Sequence, residues 1–430
     1  MKTVIRPEAE MKASGIEWVG LIPKDWKIAK NNRLFNISKK LVGSNWKNTQ
    51  LLSLTKSGII EKNINDGGGK QPESFETYQY VENNDVVLCL FDIDVSAVFS
   101  DRSKYSGMIS PAYRVMKCTD AILPVYAKWW FDAVNIGRYY LIYTKSLRKT
   151  IDATGFGNIL TAVPSSSEQQ VIADYLDEKC IRIDGIITEA KASIEEYKEL
   201  KESVIFEAVT KGLDKNAEMK DSGVRWIGKT NVKAVIKKIK YTSNISRGLF
   251  NYRPRNAEFL YGGIHPFIQT GDVARANKYI TDYKQTLSDE GIKVSKFFPK
   301  GTLTMTIAAN IGDVSILGFD AYFPDSVLGI TPLDGYSSEY LYYIYTSMKS
   351  ELVRASISNA QLNLNIERVK ELFVPIFEDL DIQMRIVAYL DEKCKQIDFL
   401  ISEKQSLIQD LEAYKKSLIY EVVTGKRRVV

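Results

Sequence analysis

His265 is the only histidine in the chain, in the string GGIHPF. A single imidazole removes most schemes built on a histidine base, a triad or a histidine-rich metal site. Its setting points to a loop or core residue. The next groups able to do chemistry are in YLDEKC, which occurs at 175–180 and again at 389–394. Its Asp, Glu, Lys and Cys could supply a proton, a base or a thiolate. Two runs of Lys and Arg could instead meet phosphate.

Other strings with catalytic flavour fall short. GGGK (67–70) lacks the spacing and the following Ser or Thr of a phosphate-binding GxxxxGK[ST] loop. SPAY (110–113) stands near the Asn/Asp-Pro-Pro-Tyr/Phe tetrapeptide of amino-methyltransferases. That chemistry needs an amide or carboxylate first, and Ser110 offers neither. Pro324-Asp325 could open a nuclease carboxylate set, but Glu339 is followed by Tyr340-Leu341 where x-Lys is required. Cys89, Cys118, Cys180 and Cys394 form no CxxC pair, so neither zinc nor a disulfide framework is indicated. The residues point to a binder: no catalytic residue, metal site or resident cofactor is expected.

YLDEKC is part of a longer repeat. At an offset of 214, Gln169, Ile172, Ile183, Asp184, Ile187, Lys201, Ile205 and Glu207 meet identical residues at 383, 386, 397, 398, 401, 415, 419 and 421. A second repeat opens each half: MKASGIEWVG (11–20) matches MKDSGVRWIG (219–228). Leu176, Cys180, Ile183, Ile187 and Ile194 follow steps of four and three, a coiled-coil seam. Leu390, Cys394, Ile397, Ile401 and Ile408 repeat it, with Lys404 as a break. Proline is absent from 169–212 and 383–425, so each predicts a helix of about 65 Å at ~1.5 Å per residue. An amphipathic helix of that length needs a partner for its stripe, and the other copy is the evident one. Lys201 and Lys415 interrupt the seam at one heptad position, leaving three readings: a shifted register, a face for a further partner, or a solvated break. In the seam Cys180 and Cys394 read as small buried apolar residues. Trp18 and Trp226, at one place in the front repeat, read as packing anchors.

Between the repeats, short apolar runs such as DVVLCLF (85–91) and GTLTMTIAA (301–309) lie among Gly, Asn and Asp, which predicts strands and turns. EYLYYIYTSMKSELVRA (339–355) predicts helix. The fold class is therefore α+β: two mixed α/β domains separated by two long antiparallel coiled-coil helices, with a pseudo-two-fold repeat. The expected segments are 1–165, 166–214, 215–378 and 379–430. A chain of 430 residues also exceeds what one core usually holds. Apolar content of 45% and charged content of 26% are ordinary for a soluble globular protein, and no run approaches a membrane span. A cytoplasmic protein is expected.

The net charge of +5 hides a segregation. Residues 27–60 carry seven Lys and Arg and no acid, and residues 229–257 carry eight and no acid, with Phe35, Trp46, Tyr241, Phe250 and Tyr252 interleaved. Segment 166–214 has 12 acidic and 6 basic residues. Clustered cations release counterions from a nucleic-acid backbone and give most of its non-specific affinity. The candidate DNA contacts are Lys39, Lys40, Lys47, Arg247, Arg253 and Arg255, with Arg102 and Lys104 of SDRSKYSG and Gln269-Thr270 behind them.

MKASGIEWVGLIPKDW, the SSSEQQVIADYLDEKCIRID repeat and GTLTMTIAANIGDVSILGFDAYFPDSV resemble the specificity (S) subunit family of type I restriction–modification systems. The resemblance covers nearly the whole chain. It implies two target-recognition domains, each reading one half of a split, asymmetric duplex DNA target. It implies two methyltransferase (M) subunits as partners, which carry S-adenosylmethionine, and restriction/translocase (R) subunits that use Mg and ATP. It also implies that the methylated adenine flips into M, outside this chain. Antiparallel helices would make the rod a ruler for the gap between half-sites, about one DNA turn (~34 Å). One departure stands out: residues 155–170, ending the first recognition domain, look about ten residues shorter than the return at 361–383. Two other readings remain open, a coiled-coil scaffold that touches no DNA and the recognition part of a fused restriction–modification enzyme.

Overall fold

The computed structural model describes all residues other than 1, 39, 65–71, 97–98, 145–147 and 357–363. The chain divides into two compact units, Met1–Lys191 with Gln405–Val430, and Ala192–Lys404. This division differs from the segments expected above. The long helices Ser166–Lys211 and Leu380–Val423 are not separate domains; each gives one part to each unit. The reason is their apolar stripe, which is buried against the globular part it meets rather than against the other helix alone.

Each unit begins its frame with a hairpin built from the front repeat. Met11–Ala13 pairs with Leu21–Pro23 in the first unit, and Met219–Asp221 with Lys229–Asn231 in the second. The turns close through Gly20 and Gly228, both at positive φ, where a side chain would be strained. Next comes a strand, Lys27–Lys30 or Val235–Lys238, that waits for a partner from far along the chain. That partner is Leu160–Val163 or Phe373–Ile376, antiparallel over four residues in both units.

The core sheets share one order. In the first unit Ser100–Arg102, Val86–Leu88, Arg114–Cys118 and Phe35–Ile37 lie side by side, all antiparallel. In the second, Val314–Leu317, Leu303–Thr306, Val327–Pro332 and Ser243–Arg247 repeat this order, and Tyr279–Ile280 adds a parallel edge. A helix covers each sheet: Pro124–Gly137, and Ser338–Ser347, which is capped by the Ser337 hydroxyl accepting from Tyr340 N. The helix expected at 339–355 breaks at Met348 and resumes as Lys349–Ser356. The first part buries Tyr340, Leu341, Tyr343, Ile344 and Tyr345, so its apolar density reflects burial nearly all round.

What differs is the lobe carried beyond the sheet. The first unit has a second four-stranded sheet, ordered Gly58–Lys62, Leu51–Thr55, Gly107–Ile109 and Gln79–Val81. The second has two small pairs, Tyr261–Pro266 with Thr286–Leu287 and Phe297–Phe298 with Ala321–Tyr322.

The expected ten-residue shortening is corrected by the structure. The first return runs from a helical turn, Ala153–Asn158, capped by Asp152, into Leu160–Val163. The second runs from Ile366–Glu371, capped by Asn365, into Phe373–Ile376. From cap to strand the two have the same length. The sequence comparison set unlike anchors side by side, the first at Gly155 inside its helical turn and the second at Gln361 ahead of its own.

Candidate nucleic-acid interface

Four of the eight cations in the basic stretch of the second unit, Lys237, Lys238, Lys240 and Arg255, meet acids from elsewhere in the chain. Lys238 and Lys240 reach the two carboxylate oxygens of Glu371 at 2.6 and 2.5 Å, and Lys237 bonds to Glu378 and Tyr336. The strand pairing explains this, since Phe373–Ile376 brings its flanking glutamates alongside 235–238. Hydrogen bonds from Lys238 and then Lys240 hold the Glu371 carboxyl down at about 2. These lysines brace the frame and are not a free phosphate footprint, contrary to the sequence expectation for the run.

The arginines beyond them are also engaged. Arg247 Nε donates to the Asp325 carbonyl oxygen at 2.5 Å, and Arg255 Nη2 donates to both Asp325 carboxylate oxygens at 2.9 and 2.8 Å. Arg253 Nη1 donates to the carbonyls of Phe250 and Tyr252 at 3.1 and 2.9 Å. Each guanidinium has five N–H groups, so donors remain. Gln269 caps the short helix Thr270–Arg275, of which Thr270 is the first residue. Its Nε2 donates to Gln285 Oε1 at 3.0 Å. Both are half-buried, and the Gln269 side chain is occupied locally. Asp325 thus serves Arg255, while Glu339 accepts from the Tyr279 hydroxyl at 3.0 Å. His265 lies on a strand with Nε2 3.0 Å from Asp289 Oδ1.

In the first unit Lys40 sits 3.3 Å from Glu82 and 4.4 Å over the Tyr80 ring; Lys117 meets the same carboxylate at 2.5 Å. Bonding from Lys117 first, then Lys40, lowers the Glu82 carboxyl below its usual range. Lys47 is exposed on the turn Gly43–Asn48, near the Trp46 ring. Arg102 donates to Asn84 Oδ1 at 2.7 Å, and Lys104 is exposed. Arg102, Lys104 and Lys56 line one cleft; Lys47 lines a different depression. Lys39 and GGGK (67–70) lie outside the described residues.

The seam residues occupy the interior. Leu176, Cys180, Ile183, Ile187, Ile194, Leu390, Cys394 and Ile397 are buried, whereas Ile401 and Ile408 are half-buried. Burial pushes the Cys180 thiol up to about 11 and raises that of Cys394, which keeps both protonated and unreactive. Trp18 stacks on Tyr139 at 4.3 Å, and Trp226 Nε1 donates to the Phe373 carbonyl at 3.0 Å.

The two lysines that interrupt the seam answer a question the sequence left open. Lys415 bonds both oxygens of Asp184 at 2.6 and 2.7 Å within the first unit. Lys201 bonds both oxygens of Asp398 at 2.7 and 2.8 Å within the second. Neither is a solvated break. Each clasps a carboxylate on the facing helix.

Sequence reasoning missed two further devices. In the first, Asp177 of YLDEKC accepts from Trp129 Nε1 at 3.0 Å, and Asp391 accepts from the Tyr343 hydroxyl and Lys278 Nζ, both at 2.5 Å. In the second, Gln169 and Gln383, fully buried, repeat one pattern. The side-chain oxygen accepts from Leu123 N or Ser337 N, and the nitrogen donates to Ala121 and Pro164 or to Gly335 and Phe377 carbonyls. Identity of these residues at offset 214 was the available signal. Both devices moor the sheet-covering helix and the return strand to the long helix, leaving the unlike lobes as the variable surfaces.

Fold and site together define a class: a duplicated helical and sheet frame that carries two different recognition lobes. Comparison with known proteins agrees. Residues 247–409 match the family described as type I restriction modification DNA specificity domain. The type I restriction enzyme MjaIX specificity subunit of Methanocaldococcus jannaschii is 28% identical over 191 residues; the match spans 43% of this chain and 43% of that protein. A solved chain from work on complex assembly and conformational transition of the type I R-M system has a TM-score of 0.73 and 14% identity, over 94% of this chain and 99% of that one. The HsdS subunit from Thermoanaerobacter tengcongensis has a TM-score of 0.52 and 13% identity, over 94% and 98%. Residues 247–409 thus carry a domain of the type I restriction modification DNA specificity kind, within a fold shared along nearly the whole chain with those two solved structures. Among the described residues no helix is long and apolar enough to cross a membrane.

Proposed function

We propose that this chain is the DNA-reading, non-catalytic subunit of a type I restriction-modification complex. It binds a bipartite, asymmetric duplex target, with one lobe for each half-site. The observation that carries this reading is the contrast inside the duplication. The frame repeats down to single hydrogen bonds, while the lobes share no strand arrangement beyond the core sheet. A frame kept alike suits two equivalent dockings of a methyltransferase subunit, and lobes made different suit two different half-sites. S-adenosylmethionine would be held by those methyltransferase partners, and ATP and Mg by restriction/translocase partners. Bases would be read by lobe side chains in the major groove, and phosphates by exposed cations such as Lys47 and Lys104.

The test is methylome sequencing of cells carrying the gene with and without its neighbours, followed by binding of the methyltransferase complex to the target found. The expected result is one bipartite methylated sequence, lost when this gene is deleted, and tight binding that falls steeply with salt. Binding without sequence preference would overturn the reading. Methylation or cleavage by the isolated chain would favour a fused enzyme.

A further inference from the structure

Among the described residues Ile264 is the most exposed large apolar side chain, at 83%. Single exposed isoleucines are common and need no account. This one is mounted on a device. Tyr261 and His265 both face Leu287 across the strand pair, so Gly262, Gly263 and Ile264 have no residue opposite them. Gly262 has φ +79°, a conformation side chains avoid. A Cβ at Gly263 would lie 2.4 Å from the Leu287 carbonyl oxygen. The two glycines let the backbone press onto its partner strand while Ile264 is carried outward.

The bulge has a firm base. Phe250, Leu260, Phe267 and Leu287 form a buried cluster, and Tyr261 packs on it. The adjoining depression is lined by Arg255, Asn256, Glu258, Tyr261, Gly262 and Gln285. Guanidinium and amide groups there sit beside an apolar tip, the mixture that reads base edges. The surrounding stretch from Arg247 to Lys300 has nine Lys and Arg against five Asp and Glu, a charge balance that suits a polyanion.

We propose that Ile264 is a specificity-determining contact of the second lobe, seating on a thymine C5-methyl group in the major groove. Arg255, Asn256 and Gln285 face the neighbouring base edges. This inference rests on the DNA-reading function proposed above and names the chemistry of one contact within it.

The experiment uses the complete complex with its methyltransferase subunits and the target defined by methylome sequencing. Each thymine of the half-site read by the second lobe is replaced in turn by deoxyuridine, which removes only the methyl group. For the wild type, one replacement should weaken binding about three- to tenfold, the scale of one buried methyl contact. Ile264→Ala should weaken binding of the thymine duplex by a similar factor and abolish the thymine–uracil difference, with Ile264→Val in between. The side chain is exposed, so these variants should fold as the parent does.

A thymine–uracil difference that persists in Ile264→Ala overturns the proposal. So does equal binding of every duplex, or a half-site with no A·T pair. A DNA kink abolished by Ile264→Ala without any thymine–uracil difference overturns it in favour of an intercalating wedge. If the wild-type complex selects no bipartite duplex, the DNA-reading function itself falls, and this contact with it.

Discussion

Asp177 and Asp391 do the same job with different partners. One accepts from an indole N–H, the other from a phenol and an ammonium group. Removing a carboxylate that several donors share leaves those donors unpaired, which costs more than the bond itself contributes. Asp391→Ala should therefore lower the stability of the second unit by about 1–3 kcal/mol. Asp391→Asn should cost less. Thermal unfolding of the purified chain measures both.

Glu371 permits a sharper test. Lysine hydrogen bonding lowers its carboxyl to about 2, so its contribution is complete above the usual carboxylate range. The contribution fades as pH falls through that range toward about 2. Carbon-detected NMR titration should place its midpoint near 2 in the wild type and within the usual range when Lys238 and Lys240 are both changed to Met. A wild-type midpoint in the usual range would show that the pairing is absent in solution.

At the scale of elements, the long helices are held by burial and by the lysine clasps. Leu176 and Leu390 are completely buried at matching positions. Leu176→Ala or Leu390→Ala should cost about 2–5 kcal/mol, the usual range for an emptied core leucine. Ile401→Ala should cost less, because Ile401 is only half-buried. The Lys201–Asp398 pair is partly exposed, at 24% and 31% of the two side chains, so its worth is modest. Lys201→Asp and Asp398→Lys should each destabilise, and combining them should recover about 1 kcal/mol of coupling. No recovery in that double-mutant cycle would mean that the clasp does not set how the helices meet in the second unit.

The helices were legible in the sequence because an apolar residue every three or four positions, uninterrupted by proline, can only be buried helically. The meaning of Lys201 and Lys415 was not legible, since an ion pair between helices leaves no trace in the local pattern of either.

For the whole molecule, the division of labour between frame and lobes predicts separable effects. Lys47 and Lys104 are exposed and make no ion pair among the described residues. Changing both to Glu should weaken DNA binding of the complex and lower the salt slope by about one per lost phosphate contact. The preferred sequence should be unchanged, because phosphates carry no base information. Binding measured at several salt concentrations on target and scrambled duplexes checks this. A shift in sequence preference would move these lysines from backbone contact to base readout.

By itself the sequence determined the duplication, the two long helices, the α+β class and the positions that face the helical interior. Those properties depend on periodicity and on identity between distant copies, and both are written along the chain. Only the tertiary structure decided where the charges act. The acid-free run at 229–257 is partly offset at Lys238 and Lys240, where strand pairing brings the single carboxylate of Glu371 beside both. It also decided that the first return strand is whole, and that YLDEKC moors the recognition domains through its aspartate as well as packing through its leucine and cysteine. In each case the deciding force is a contact between residues far apart in the chain, whose strength depends on distance in space and not on order in sequence.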